Sequence, residues 1–117
     1  MKPITESDMI QFIGLKDLEP MEQELVQRIS TENFEKIKRM LSNITKLKIQ
    51  IKTHKKQGKR KKYSIHLQAR APGGPLDVDK SQDYDLARAI HKGFADIKGM
   101  IEHRIHLEGI KGTKKTR

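Results

Sequence analysis

Between Glu35 and Asp77 the chain carries 13 Lys and Arg residues and no carboxylate, and the types and spacing of these residues suit the neutralisation of phosphates. Lys46, Lys48 and Lys52, then Lys62 and Arg70, stand on even-numbered positions of two segments, while Lys55, Lys56, Lys59, Arg60 and Lys61 fill the stretch between them. Cations held at regular separations displace several condensed counterions from a polyanion at once, which makes binding strong and salt-sensitive. A like-charged block without such spacing is ordinarily a solvated loop. The alternation is what separates the two readings.

Other chemistries find less support. The chain has no cysteine, which excludes disulfides, thiolate metal sites and thiol nucleophiles. His103 and His106 have the i, i+3 spacing of a helical pair, yet zinc needs three or four ligands and His54, His66 and His91 fall in no ligand motif with them. Asp77, Asp79, Asp83 and Asp85 could gather Mg²⁺ for RNA cleavage with His91, but capping and solvation account for them more simply. No nucleophile–base pair and no phosphate-binding glycine loop is present, because Gly73-Gly74 lies between prolines without a following Lys-Ser/Thr. The chain therefore reads as non-enzymatic, without a cofactor or metal.

The cations need elements to hold them. Leu47, Ile49 and Ile51 alternate with Lys46, Lys48, Gln50, Lys52 and His54, and Tyr63, Ile65, Leu67 and Ala69 alternate with Lys62, Ser64, His66, Gln68 and Arg70. Period two predicts two half-buried strands joined as an antiparallel hairpin. Ala71-Pro72-Gly73-Gly74-Pro75 predicts a loop, and Leu76 to Asp79 a short third strand. From Asp83, which with Asp85 suits a helix start, Leu86, Ala89, Ile90, Phe94, Ile97, Ile101 and Ile105 make one helical stripe. Upstream, Pro20 opens a second stripe of Met21, Leu25, Val26, Ile29, Phe34, Ile37 and Leu41, whose five-residue step after Ile29 predicts a kink or two abutting helices. Met9 to Ile13 is a candidate first strand. The order predicts an α+β fold, β-α-β-β-β-α, with an antiparallel sheet, both helices on one face and the lysines on the other.

Composition sets the remaining bounds. The 117 residues, 34% apolar and 34% charged, suit one domain with a lean core, expected over residues 1–108 with a flexible basic tail over 109–117. The net charge of +10 favours an anionic partner. No apolar run is long enough to span a bilayer and the first residues lack a signal-peptide core, so a soluble, cytoplasmic protein without a membrane or small-molecule partner is expected. Aromatic residues are 4% of the chain, and Phe34, Tyr63 and Phe94 fall on core positions, so recognition of RNA backbone and shape is favoured over base stacking. The element order also matches double-stranded RNA-binding domains, but Asp83-Tyr84-Asp85 stands where those carry a basic cluster.

The segment Ile44 to His103 resembles the ribosome hibernation factors, the family of the hibernation-promoting factor and the ribosome-associated inhibitor. The likeness lies in Lys-Leu-Lys-Ile-Gln-Ile-Lys, in Lys-Lys-Tyr-Ser-Ile-His-Leu, and above all in Asp85-Leu86-Ala87-Arg88-Ala89-Ile90, followed by Phe94-Ala95-Asp96-Ile97 and Ile101-Glu102-His103. With the helix from Pro20 to Leu41 in the matching place, it covers about 85 of the 117 residues. It departs from the family in its faint first strand and its Gly73-Gly74 loop, and the dimerisation domain of long members is missing, which implies a short, single-domain type. The resemblance implies the same β-α-β-β-β-α fold. It also implies binding to the small ribosomal subunit and its RNA, in the channel of messenger and transfer RNA, so that idle ribosomes are kept inactive under stress. It adds helix cations, Lys36, Arg39, Arg88 and Lys92, to the expected RNA-binding set. The alternative is a free-standing binder of structured or double-stranded RNA.

Overall fold

The computed structural model describes residues 9–41, 44, 46–55, 61–71 and 74–113. In chain order the elements are β1 (Ile10–Ile13), a 3-10 turn (Leu15–Asp17), α1 (Pro20–Met40), β2 (Lys46–Lys55), β3 (Lys61–Arg70), β4 (Leu76–Asp83) and α2 (Leu86–Thr113). This is the expected order of an α+β fold. The four strands form one sheet, β1-β2-β3-β4, in which β2 pairs antiparallel with β3 and β3 with β4. The sheet is mixed, however, and not antiparallel throughout, because β1 runs parallel to β2 from Ile10 beside Leu47 to Ile13 beside Gln50. A helical connection such as α1 returns the chain to the end where β1 began, so the adjacent strand runs the same way.

The hairpin follows its alternation. Leu47, Ile49, Ile51, Tyr63, Ile65, Leu67 and Ala69 are all buried in one cluster with side chains of both helices, which places the two helices on the same face of the sheet. β4 extends to Asp83, past the Asp79 limit expected of it. Its register shifts between Ile65 and Leu67, which face Ser81 and Val78 respectively. Two inward residues three apart need a bulge, and a bulge erases the period-two pattern. Buried Ser81 then donates a 2.6 Å hydrogen bond to the Ala89 carbonyl of α2.

α1 is one helix of 21 residues with neither the expected kink nor a break. Its buried positions are Val26, Ile29, Ser30, Asn33, Phe34 and Ile37, a regular stripe in which two polar residues occupy the apparent gap. Asn33 donates from Nδ2 to the Ile29 carbonyl at 2.8 Å and accepts a 2.7 Å bond from Lys98 of α2. Met21, expected in the core, is 83% exposed, because Glu22 and not Met21 lies four and seven residues before Val26 and Ile29. Ile105, also expected in the core, is 40% exposed. A helix of 28 residues extends about 42 Å, beyond the roughly 33 Å of the ten-residue strands beneath it. α2 also runs through Thr113, past Gly109 where a tail was expected to begin; residues 114–117 lie outside the described residues.

Two glycines permit close approach. Gly14 has φ +86° and a Cβ there would overlap the Ile51 carbonyl oxygen, while a Cβ on Gly93 would come within 3.1 Å of Leu67 Cδ1, where α2 crosses β3. At the opposite end of the stripe, Tyr63 donates a 2.6 Å hydrogen bond to Glu22, whose other oxygen accepts the Glu19 amide at 3.0 Å. Burial raises the Glu22 carboxyl, but the bonds from Tyr63 and Glu19 and the charge of Lys61 outweigh it and hold the group below 4.5. Burial, aided by the bond to Glu22, raises the Tyr63 phenol from 10.0 to about 12. A phenol raised on folding contributes stability that is complete below pH 10 and lost as the pH rises toward about 12. Absorbance titration of the native protein is thus expected to show one phenol ionising near pH 12, and Tyr63→Phe is expected to remove that step.

Candidate nucleic-acid interface

Alternation buries Leu47, Ile49, Ile51, Tyr63, Ile65, Leu67 and Ala69 and leaves the even-numbered residues of β2 and β3 on the face without helices. Five cross-strand rows result: Lys46 with Arg70, Lys48 with Gln68, Gln50 with His66, Lys52 with Ser64 and His54 with Lys62. Opposed residues lie roughly 5 Å apart at Cβ, and rows on one strand about 7 Å apart. Lys46, Lys48 and Arg70 therefore meet at one end, around an open hollow of about 380 Å³ that also touches Gln11 and Gln68. Lys52 and Lys62 stand toward the other end, with His54. Among the described residues none of these five cations has an ion-pair partner. No aromatic side chain among the described residues projects from the free face of β2 and β3, and exposed Tyr84 borders a hollow with Lys62 and Gln82 at one end of it.

The cations do not cover the whole face. β4 places Asp77 opposite Gln68, and Asp79 lines a hollow with Gln50, Lys52 and His66, so a carboxylate border runs along this edge of the sheet. His66 Nε2 and Asp77 Oδ1 lie 2.5 Å apart. The sequence places Asp77 and Asp79 on a short expected strand, but the pairing of that strand with β3, which sets them beside the cations, is not visible in a local pattern. Sequence reasoning also misses Gln11, which pairs with Lys48 across the parallel ladder; a strand of four residues is too short for alternation to reveal its face.

The other expected residues separate into groups. Lys55 pairs with Lys61 at the hairpin end. Lys61 has the parity of Tyr63, the helix side, where its charge acts on Glu22 rather than joining the free face. Lys56, Lys59 and Arg60 lie outside the described residues. Arg88 and Lys92 stand on the first turns of α2, around a hollow that Lys62 also lines. They are engaged with Asp83: Lys92 donates to it at 2.8 Å and Arg88 lies 3.9 Å away. The bond from Lys92, with that from the Asp85 amide, holds the Asp83 carboxyl at about 2. Asp85 accepts the Arg88 amide at 3.0 Å, the capping role expected of it. Lys36 and Arg39 are exposed on α1, in the helix layer, on the opposite side of the molecule from Lys46. Burial and the charge of Lys36 lower the Lys98 ammonium of α2.

Among the described residues no group of three His, Asp or Glu side chains is placed to hold a metal ion, and no helix is long and apolar enough to cross a membrane. No family model matches the chain, and no curated protein is significantly similar to it.

Proposed function

We propose that this chain is a non-enzymatic RNA-binding protein that occupies the messenger and transfer RNA channel of the small ribosomal subunit and keeps idle ribosomes inactive. The observation that carries the reading is the unpartnered cation group on the free face, Lys46, Lys48 and Arg70, continued by Lys52 and Lys62. Like charges set directly across a strand pair cost stability in the free protein. Phosphates arriving on that face convert the cost into attraction and release counterions. The likeness of the 44–103 segment to hibernation factors supports the ribosome as the source of those phosphates. The mechanism needs affinity alone, since a bound domain excludes transfer RNA by overlap.

Co-sedimentation with purified small subunits tests the proposal. The protein is expected to travel with the subunits at moderate salt, to be released as salt rises, and to be displaced by transfer RNA on programmed subunits. Absence from the ribosomal fractions of both growing and starved cells would overturn it. A free-standing binder of structured RNA is the second reading, favoured by a face that offers charge without stacking rings. Displacement from subunits by arbitrary duplex RNA as effectively as by added subunits decides for that reading.

A further inference from the structure

The cations of the free face fall into two groups, and the rows between them hold Gln50, Gln68 and Ser64 with His66, whose Nε2 meets Asp77 Oδ1. Lys46, Lys48 and Arg70 hold one end and Lys52 and Lys62 the other, with centres about 20 Å apart along the strands. Between them Gln50, Gln68 and Ser64 are half-buried, and among the described residues their side chains bond to no other group. Amides and hydroxyls both donate and accept, so this band matches a ligand surface that does the same. The described residues of β2 and β3 project no Phe or Tyr ring from this face to enter a stack, and the carboxylate border of Asp77 and Asp79 confines a polyanion to these two strands.

One nucleic-acid surface has that layout. The minor groove of an A-form RNA helix is wide and shallow, bounded by two phosphate backbones and floored by 2′-hydroxyls and base edges. We infer that the free face lies across such a groove, with the two cation groups on opposite backbones and Gln50, Ser64 and Gln68 against the 2′-hydroxyls. The inference rests on the RNA-binding reading above and specifies its contact: the protein distinguishes RNA from DNA through neutral residues and holds either through its lysines. B-form DNA presents a minor groove only about 6 Å wide and no 2′-hydroxyl, so it meets the cations but not the band.

Binding of the full chain to short RNA and DNA duplexes of one sequence, followed by anisotropy over a salt series, tests this. With three hydrogen-bonding side chains involved, RNA is expected to bind about tenfold or more tighter than DNA. The combined variant Gln50→Ala, Ser64→Ala, Gln68→Ala is expected to lose most of that preference with the salt dependence unchanged. Lys48→Gln with Lys52→Gln is expected to lower the slope of log affinity against log salt by about 2 while keeping the preference. A measurement that leaves the protein untouched guards against misfolding: 2′-deoxy substitution across one minor groove of the RNA is expected to weaken binding as the alanine variant does. Equal binding of both duplexes, or indifference to 2′-deoxy substitution, overturns the inference. If the protein still travels with small subunits in that case, the proposed function stands and only the groove contact fails; binding to neither duplexes nor subunits removes both.

Discussion

Replacing Lys46, Lys48 and Lys52 together by Glu is expected to abolish RNA binding and leave the fold intact. All three project from β2 on the face without helices, and their neighbours Leu47, Ile49 and Ile51 carry the packing. Each lysine that meets a phosphate contributes about one to the salt slope, so the variant should lose about three and bind at least about a hundredfold more weakly at physiological salt. Lys46→Glu also faces Arg70, where an opposite charge replaces a like one, so stability should not fall on that account. Anisotropy with duplex RNA gives the affinity and circular dichroism checks the fold. Lys36→Glu with Arg39→Glu, in the helix layer, provides the contrast: duplex binding should change little, because those residues lie on the opposite side of the molecule. Unchanged binding by the β2 variant would mean that RNA meets a different surface.

The second large effect is on stability. Phe94 is fully buried on α2 within the single core that joins both helices to the sheet. Truncation to Ala is expected to cost about 3 to 5 kcal/mol, from lost burial together with the cavity left behind. Domains of this size hold about 5 to 15 kcal/mol in all, so much of the margin would go. Urea unfolding should show the midpoint drop, whereas Ile105→Ala, on the exposed continuation of the same helix, should stay within about 0.5 kcal/mol of the parent. A small loss at Phe94 would mean that the core re-packs around the gap.

Both effects rest on elements that a local sequence pattern makes legible. The hairpin is legible because its period-two pattern is uninterrupted, and with it come the buried aliphatic set and the cations on the other face. The last helix is legible for the same reason, with the Asp85 cap as its start signal. In α1 the same logic falters where Ser30 and Asn33 take core positions: an apolar pattern cannot register a polar side chain whose burial is offset by a bond to Ile29 and by Lys98 from another helix.

Strand direction, charge borders and the grouping of distant cations are decided elsewhere. Parallel pairing of β1 with β2 depends on where α1 delivers the chain, and four residues are too few to show a face. Pairing of β4 with β3 sets Asp77 and Asp79 beside the lysines, and the helix layer carries Lys36 and Arg39 to the far side. Periodicity reports which side of its own element a residue occupies, because that follows from backbone geometry over a few neighbours. Which elements then share a surface depends on packing between segments tens of residues apart, and no local pattern encodes it.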